Sequence, residues 1–247
     1  MTALILALAA GAVAGLALGA LGGGGSVLAI PALVYLLGFS PAAATTASLL
    51  IVTATSATAL YAHARAGHVR WKAGAAFAAA GVVPAALAGV AATRLPQAVL
   101  TAAFAALAAL AALRMLRPGP EGTRGEVRPL RAGGAGAGLG AVTGLLGVGG
   151  GFLAVPALVT VLAFEMQAAV GTSLLVITVN SLASLVTRSG GAAGIDWAVT
   201  APFAGAAILG AWDGKRLAAR VSGSVLQRLF AWVLLAVAAF MLVDAVT

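Results

Sequence analysis

Laid against itself at an offset of 125 residues, the chain repeats: residues 22–60 align with 147–185 without a gap, and 19 of 39 positions are identical. GGGGSVLAIPALVYLLGF pairs with GVGGGFLAVPALVTVLAF, and TTASLLIVTATS pairs with VGTSLLVITVNS. Upstream, Gly11, Gly15 and Gly19 pair with Gly136, Gly140 and Gly144. After a one-residue shift the likeness continues weakly, with Trp71 against Trp197 and Leu100 against Leu226. A chain built twice from one pattern must fold as two like halves. The first twenty residues have a counterpart in mid-chain and lack a positive leading segment, so they are expected to belong to the mature fold rather than to a signal peptide.

What kind of halves follows from hydrophobicity. Only 8% of residues are charged and 62% are hydrophobic, where a soluble domain carries about 25% charged residues. Runs at 42–62, 73–93, 97–113 and 224–242 approach or exceed the roughly 20 residues that cross a bilayer. The chain reads as an all-α polytopic membrane protein with no separate soluble domain. Each half contains five hydrophobic segments, near 3–21, 26–38, 42–63, 73–93 and 97–116 and then 132–147, 151–164, 167–187, 197–212 and 224–246. The second of each is too short to span a hydrocarbon core of about 30 Å, and is expected to be a half-helix or a re-entrant arm. The domain division is a first repeat at 1–116, a cytoplasmic linker at 117–131 and a second repeat at 132–247.

The net charge of +8 lies in loops. Arg65, Arg70 and Lys72 share one loop, Arg114, Arg117, Arg124, Arg128 and Arg131 the central one, and Lys215, Arg216, Arg220 and Arg228 a third, leaving only Arg94 and Arg188 elsewhere. Lys and Arg in short loops mark the cytoplasmic side, and no basic surface with interleaved aromatics suggests nucleic acid. The loop after the third segment is basic in the first half, whereas in the second half it is the loop after the fourth. The halves are therefore predicted to be inserted in opposite orientations, with both termini outside. Inverted-topology repeats characterise secondary transporters, whose site lies near the bilayer midplane where the halves meet.

That context gives the glycine runs a role. Gly22, Gly23, Gly24 and Gly25 with Ser26, and Gly147, Gly149, Gly150 and Gly151, fall at corresponding positions, each ahead of a short apolar segment with Pro31 or Pro156, where the proline is read as fitting the first turn of the half-helix. In lipid, irregular backbone is tolerated only where protein buries it or where it lines a cavity. GGGGSVLAI is read as extended or kinked backbone leading into a half-helix, with its N–H groups turned to the cavity. Helix N-termini carry about half a positive charge and free N–H groups, which makes them anion sites. The glycines spaced four apart, Gly11/Gly15/Gly19 and Gly136/Gly140/Gly144, are instead read as helix-packing residues. The third segments add neutral donors. Ser48 and Thr55, like Ser173 and Asn180, lie seven apart on one helix face, with Thr46 and Thr172 nearby. Most Ser and Thr in membrane helices bond a carbonyl one turn back. Asn180 is harder to satisfy locally and is the foremost functional candidate.

The doubled GxGG[GS]-x₄-P-x-L pattern (GGGGSVLAIPAL and GVGGGFLAVPAL), followed in each copy by a segment such as VGTSLLVITVNS, resembles the sulfite exporter TauE/SafE family over essentially the whole chain. The resemblance implies movement of sulfite or organosulfonate anions, often export, across the cytoplasmic membrane. The copies differ at the presumed site, with Thr46 and Ala47 against Gly171 and Thr172, and Thr55 against Asn180.

The expected function is thus a secondary transporter exporting a small oxyanion, such as sulfite or sulfoacetate, by alternating access. An anion channel or a structural membrane protein is the alternative. No pair of carboxylates, Ser/His pair or metal cluster falls within the spans, so no enzyme chemistry, cofactor or metal is expected. Partners are a small inorganic or organosulfur anion and the lipid bilayer, not nucleic acid, with a homodimer left open. Glu165, at the end of a short segment, is the one candidate proton or cation ligand, and His63 and His68 are read as interfacial residues at the basic loop.

Overall fold

The structure, a computed structural model, describes residues 2–92, 96–116, 129–146, 151–187 and 195–246. Among these, α1 (Thr2–Leu21), α2 (Gly24–Pro31) with a π turn at Ala32–Leu36, α3 (Pro41–Arg65), α4 (Trp71–Ala92) and α5 (Gln97–Leu116) make the first half. The second consists of α6 (Pro129–Leu146), α7 (Gly151–Thr160), α8 (Met166–Thr187), α9 (Trp197–Ala218) and α10 (Gly223–Val246). The protein is an all-α polytopic membrane protein. Thr2–Leu21, Ala43–Arg65, Met166–Leu185 and Gly223–Phe240 are long and apolar enough to cross a bilayer. At 1.5 Å per residue, α2 and α7 are about 12 and 15 Å long, well short of spanning. The most exposed large side chains are mainly lipid-compatible, among them Leu87, Leu209, Val83 and Ile5. Trp71 and Trp197, exposed at the starts of α4 and α9, occupy the ends where indole rings favour the membrane–water boundary.

Helix ends follow local chemistry. Ser40 caps α3 by accepting from the Ala43 N–H, with Pro41 in the first turn where its missing N–H costs nothing. Asp196 caps α9 through the Ala198 N–H at 2.9 Å. The two short helices close alike. Phe39 N–H bonds the Leu33 carbonyl and Phe164 N–H the Leu158 carbonyl, each at 3.0 Å. Both turns use a left-handed residue at the same repeat position, Gly38 (φ +71°) and Ala163 (φ +52°). Alanine pays for that conformation where glycine does not.

Packing exchanges elements between the halves. α1 lies along α9, and its counterpart α6 lies along α4. α3 crosses α8 and α5 packs on α10. Swapping α1–α5 with α6–α10 maps these pairs onto themselves. The glycine stripes explain the closest contacts. A methyl group at Gly11, Gly15 or Gly19 would overlap the backbone carbonyl of Phe203, Ala207 or Ala211, one per turn of α9. Gly136 and Gly140 stand likewise against Phe77 and Gly81 on α4. Helices in lipid gain by such backbone approach, which allows Cα–H···O contacts. The packing role expected for these glycines holds, except that Gly144 lies where side-chain surroundings are not described.

Two expectations need correction. The helical turn of α2 begins at Gly24, so the break is confined to Gly22–Gly23 and Gly24–Gly25 form the first turn, where N–H groups lack helical partners anyway. Pro31 stands at the last residue of α2, not in its first turn. A ring in that position forbids a regular hydrogen bond, and the chain passes directly into the π turn at Ala32–Leu36. Pro156 is likewise inside α7.

Candidate functional site

The first helix break is built against the second half. Gly22 is buried with φ +78°, and a methyl there would lie 2.5 Å from Ser173 Oγ, 3.1 Å from Val155 Cγ2 and 3.2 Å from Val170 Cα. Only glycine takes that conformation freely, so the turn lets α1 end against α7 and α8. The Gly22 N–H closes α1 on the Leu18 carbonyl (2.8 Å) and the Gly23 N–H reaches the Leu21 carbonyl (3.0 Å). α2 also touches α7, so the two short helices meet inside the bundle. Gly147, Gly149 and Gly150 lie outside the described residues, while Gly151 opens α7.

The polar residues of α3 and α8 fall at three levels. Ser48 and Ser173 are buried and spend their hydroxyls locally, donating to the Thr45 carbonyl (2.9 Å) and the Val170 carbonyl (2.8 Å). Near the middle of both helices the chains are tied directly: Thr178 Oγ1 lies 2.9 Å from Ser56 Oγ and 2.7 Å from the Leu174 carbonyl. Beside this bridge Ala29 of α2 packs with Val52 and Ile177. One residue away is Thr55, 2% exposed, whose hydroxyl has no hydrogen-bond partner. Asn180, two residues past Thr178 and half-buried, makes no hydrogen bond among the described residues. An unsatisfied buried hydroxyl costs about 1–3 kcal/mol, and threonine ordinarily bonds back to its own helix, as Thr53 and Thr58 do here. Thr55 and Asn180 occupy equivalent repeat positions. Both sit about 10 Å along their helices from Ser48 and Ser173, so the Gly22 break and the central donors are separate levels of one bundle.

One expected site residue does other work. Thr172 accepts the Arg70 backbone N–H at 3.1 Å, fastening the basic loop to α8. Gly171 is required there, because a methyl would lie 2.6 Å from the His68 carbonyl oxygen. That contact explains why the second copy departs from Thr46. Thr46 is buried within α3. Ser26 lies in the first turn of α2.

Sequence reasoning missed what stands at the basic end. His63 is 3% exposed, and its Nε2 lies 3.2 Å from the Gly19 carbonyl. The His63 and His68 ring centroids are 5.8 Å apart. Together with Gln167 and Lys215 they line a pocket floored by Ala20 and Val170. Burial, then the charge of Lys215, holds the His68 imidazole below its ordinary value, with Glu165 opposing. The signal was available in part: the only two histidines of the chain stand five residues apart at one end of α3.

Comparison with known proteins agrees with this architecture. The model of the family described as sulfite exporter TauE/SafE matches residues 7–241. The chain is 35% identical over 248 residues to a probable membrane transporter protein of Xylella fastidiosa (strain 9a5c), covering 97% of this chain and 95% of the relative. It is 32% identical to a protein of the same description from Xylella fastidiosa (strain Temecula1 / ATCC 700964), with the same coverage. No solved structure matches the chain significantly. A match over nearly the full length, on a bundle duplicated around two short helices, makes this chain a member of the sulfite exporter TauE/SafE family of membrane transporters.

Proposed function

We propose that the protein is a secondary transporter that exports a small oxyanion, sulfite or an organosulfonate such as sulfoacetate, across the cytoplasmic membrane by alternating access. The observation that carries this reading is the centre of the α3–α8 crossing, where the Thr55 hydroxyl is buried without a partner and the Asn180 carboxamide is free of described partners. Neutral donors held ready at mid-bundle suit an anion that must be released again, since a buried Lys or Arg would bind it too firmly and cost more to desolvate. In this reading 1–116 and 132–247 are inverted repeats joined by a cytoplasmic linker at 117–131, and the α2 and α7 N-termini add helix-dipole charge. An inside-negative potential of about 100 mV favours exit of a monoanion by about 2.3 kcal/mol, so export requires no mid-span carboxylate.

The test is flux in proteoliposomes with sulfite, sulfoacetate, sulfate, taurine and a small carboxylate. The reading expects saturable flux with counterflow for sulfite or sulfoacetate, and little competition from zwitterionic taurine. Flux that rises linearly with concentration and shows no counterflow would refute alternating access in favour of a channel, and competition by taurine equal to that of sulfite would refute the anion site.

A further inference from the structure

The seam where α3 packs on α9 carries a polar group that the central donors leave unexplained. Thr200, one turn into α9, is 2% exposed, and its hydroxyl has no hydrogen-bond partner. Thr53, Thr160 and Thr178 each donate to the carbonyl four residues back, so an idle hydroxyl is an exception in this bundle. The repeat indicates what stands around it. Trp71 and Phe77 of α4 correspond to Trp197 and Phe203 of α9, which sets Gly74 against Thr200. A methyl at Gly74 would lie 3.0 Å from Thr172 Cγ2 and 2.9 Å from Leu175 Cδ2, and the counterparts of those two residues are Ala47 and Leu50 of α3. At the α4–α8 seam the hydroxyl therefore comes from α8, where Thr172 accepts the Arg70 N–H at 3.1 Å. At the α3–α9 seam it comes from the opposite helix and fastens nothing. The two helices of this seam run parallel: Ala44 shares a core cluster with Ile195 and Phe203 at one end, and His63 and Lys215 line one pocket at the other. Thr55 lies one turn past Ile51 and two past Ala47, on the stripe of α3 that meets α9. It is thus about two turns, or 10 Å, deeper than Thr200. Apolar side chains fill the space between, Ile51 and Phe203 among them, at 2% and 0% exposure.

We propose that the α3–α9 seam is the outer gate of the transport path, and that the Thr200 hydroxyl is the donor that receives the anion after Thr55 when the seam parts. The inference rests on the function proposed above and adds the residue that serves the side of release. Phe203 and Ile51 are the plug. While they meet, an anion beside Thr55 is sealed from the outer end, and the Thr200 hydroxyl is buried without a partner, a destabilising state that an arriving oxyanion relieves. A hydroxyl donates one hydrogen bond and adds no charge that would hold the anion back. Asp196, exposed one turn ahead of Thr200, places a carboxylate at the mouth, and its like charge weakens anion binding there, as suits an exit. The two seams also differ in what must break. Opening at the basic end costs the Arg70–Thr172 hydrogen bond, whereas at Thr200 no such hydrogen bond stands in the way.

The chain contains no cysteine, so Thr200→Cys, close in size to the native side chain, places a single thiol in the seam. Intact cells carrying the full-length variant are treated with sulfonatoethyl methanethiosulfonate, an impermeant anionic reagent. The treatment is repeated with external sulfoacetate against chloride at equal ionic strength; sulfite is avoided because it cleaves the disulfide formed. Thr172→Cys, at the opposite seam, is the control. The expected result is labelling of Thr200→Cys despite its burial, slowed several-fold by sulfoacetate, and none of Thr172→Cys. An unreactive Thr200→Cys, equal labelling of both, the reverse pattern, or labelling indifferent to sulfoacetate overturns the proposal. In proteoliposomes Thr200→Val, which removes only the idle hydroxyl, should keep its melting temperature. It should lower sulfite and sulfoacetate flux about tenfold, the loss of one hydrogen bond to a charged group. Thr200→Ser should retain most of the flux. Full flux in Thr200→Val, or equal loss in Thr200→Ser, removes the hydroxyl from the path. The labelling needs no net transport, so a thiol protected by sulfoacetate in protein that moves no anion would sink the proposed function and leave the opening seam. Saturable wild-type flux with counterflow, beside an unreactive thiol and an unaffected Thr200→Val, would do the reverse.

Discussion

Gly15→Ala and Gly205→Ala make a matched pair that tests the packing of α1 on α9. Both replace a glycine inside a helix, so both gain about 1 kcal/mol of helix propensity. They differ in what the new methyl meets. At Gly205 nothing lies within 4 Å, whereas at Gly15 the methyl overlaps the Ala207 carbonyl oxygen and lies 2.6 Å from Ala207 Cα. Carbon atoms need about 3.5–4 Å, so α1 and α9 must part by about 1 Å, and a backbone group cannot rotate aside. Overpacking of this kind costs about 1–3 kcal/mol, which the cancelling propensity gain leaves as the expected difference between the variants. Reversible unfolding in mixed detergent micelles should place Gly205→Ala at or slightly above the wild type and Gly15→Ala below Gly205→Ala by that amount. Anion affinity of the folded fraction should be unchanged in both. Equal stability of the two variants would refute the claim that the glycine stripe sets the helix separation.

Gly22→Ala forces alanine into a left-handed conformation at about 1–2 kcal/mol and presses on Ser173 Oγ; transport should fall further than melting temperature, and parallel loss of both would make the turn purely structural. Thr55→Val removes a hydroxyl with no partner, so stability should hold or rise while anion affinity drops about tenfold; unchanged affinity in a binding titration would remove Thr55 from the site. Cysteines at Thr123 and Ser40 should differ toward an impermeant reagent applied to intact cells, with Ser40→Cys labelled and Thr123→Cys protected; the opposite pattern inverts the topology. His68, whose imidazole is held below its ordinary value, binds fewer protons folded than unfolded, so its contribution to stability is present above about pH 6.5 and lost as pH falls through its lowered value. His68→Gln should therefore flatten the acid side of a stability–pH curve, and an unaltered acid limb would exclude it as a contributor.

Local pattern made the short helices and the packing glycines legible before any coordinates. A run of glycines, a proline and a stripe at every fourth residue each constrain backbone within a turn or two. Partner choice was less accessible. Gly11, Gly15 and Gly19 announce a close neighbour without saying that it is α9 of the other half, since the neighbour needs only small or backbone-presenting residues. The glycine run misled because Gly24 and Gly25 can enter a helical first turn as easily as an extended chain, and only Gly22 is committed by its surroundings. At the candidate site, the seven-residue spacing grouped Thr55 with Ser48 and Asn180 with Ser173, yet Thr172 and Ser173 are spent on a loop and a carbonyl. His63 was missed because a residue flanked by basic loop sequence reads as wetted, and its burial comes from α1 and α9, far away in the chain.

The exchange of α1 and α6 between the halves bears on synthesis as well as on the finished bundle. Between Leu21 and Trp197, where α9 begins, the ribosome must add more than 170 residues; at about 5–20 residues per second this takes roughly 9–35 s. Throughout that interval the glycine face of α1 has no partner and must wait in lipid beside the insertion machinery. α6 is spared such a delay, because its seat on α4 already exists when it emerges. The second half therefore assembles onto a template and the first does not, so a truncated chain ending before α9 should be the species that quality-control proteases find. The same interlock means that no rigid body can be cut from the chain at its centre. Any rocking unit must take helices from both halves, α1 moving with α9 and α6 with α4.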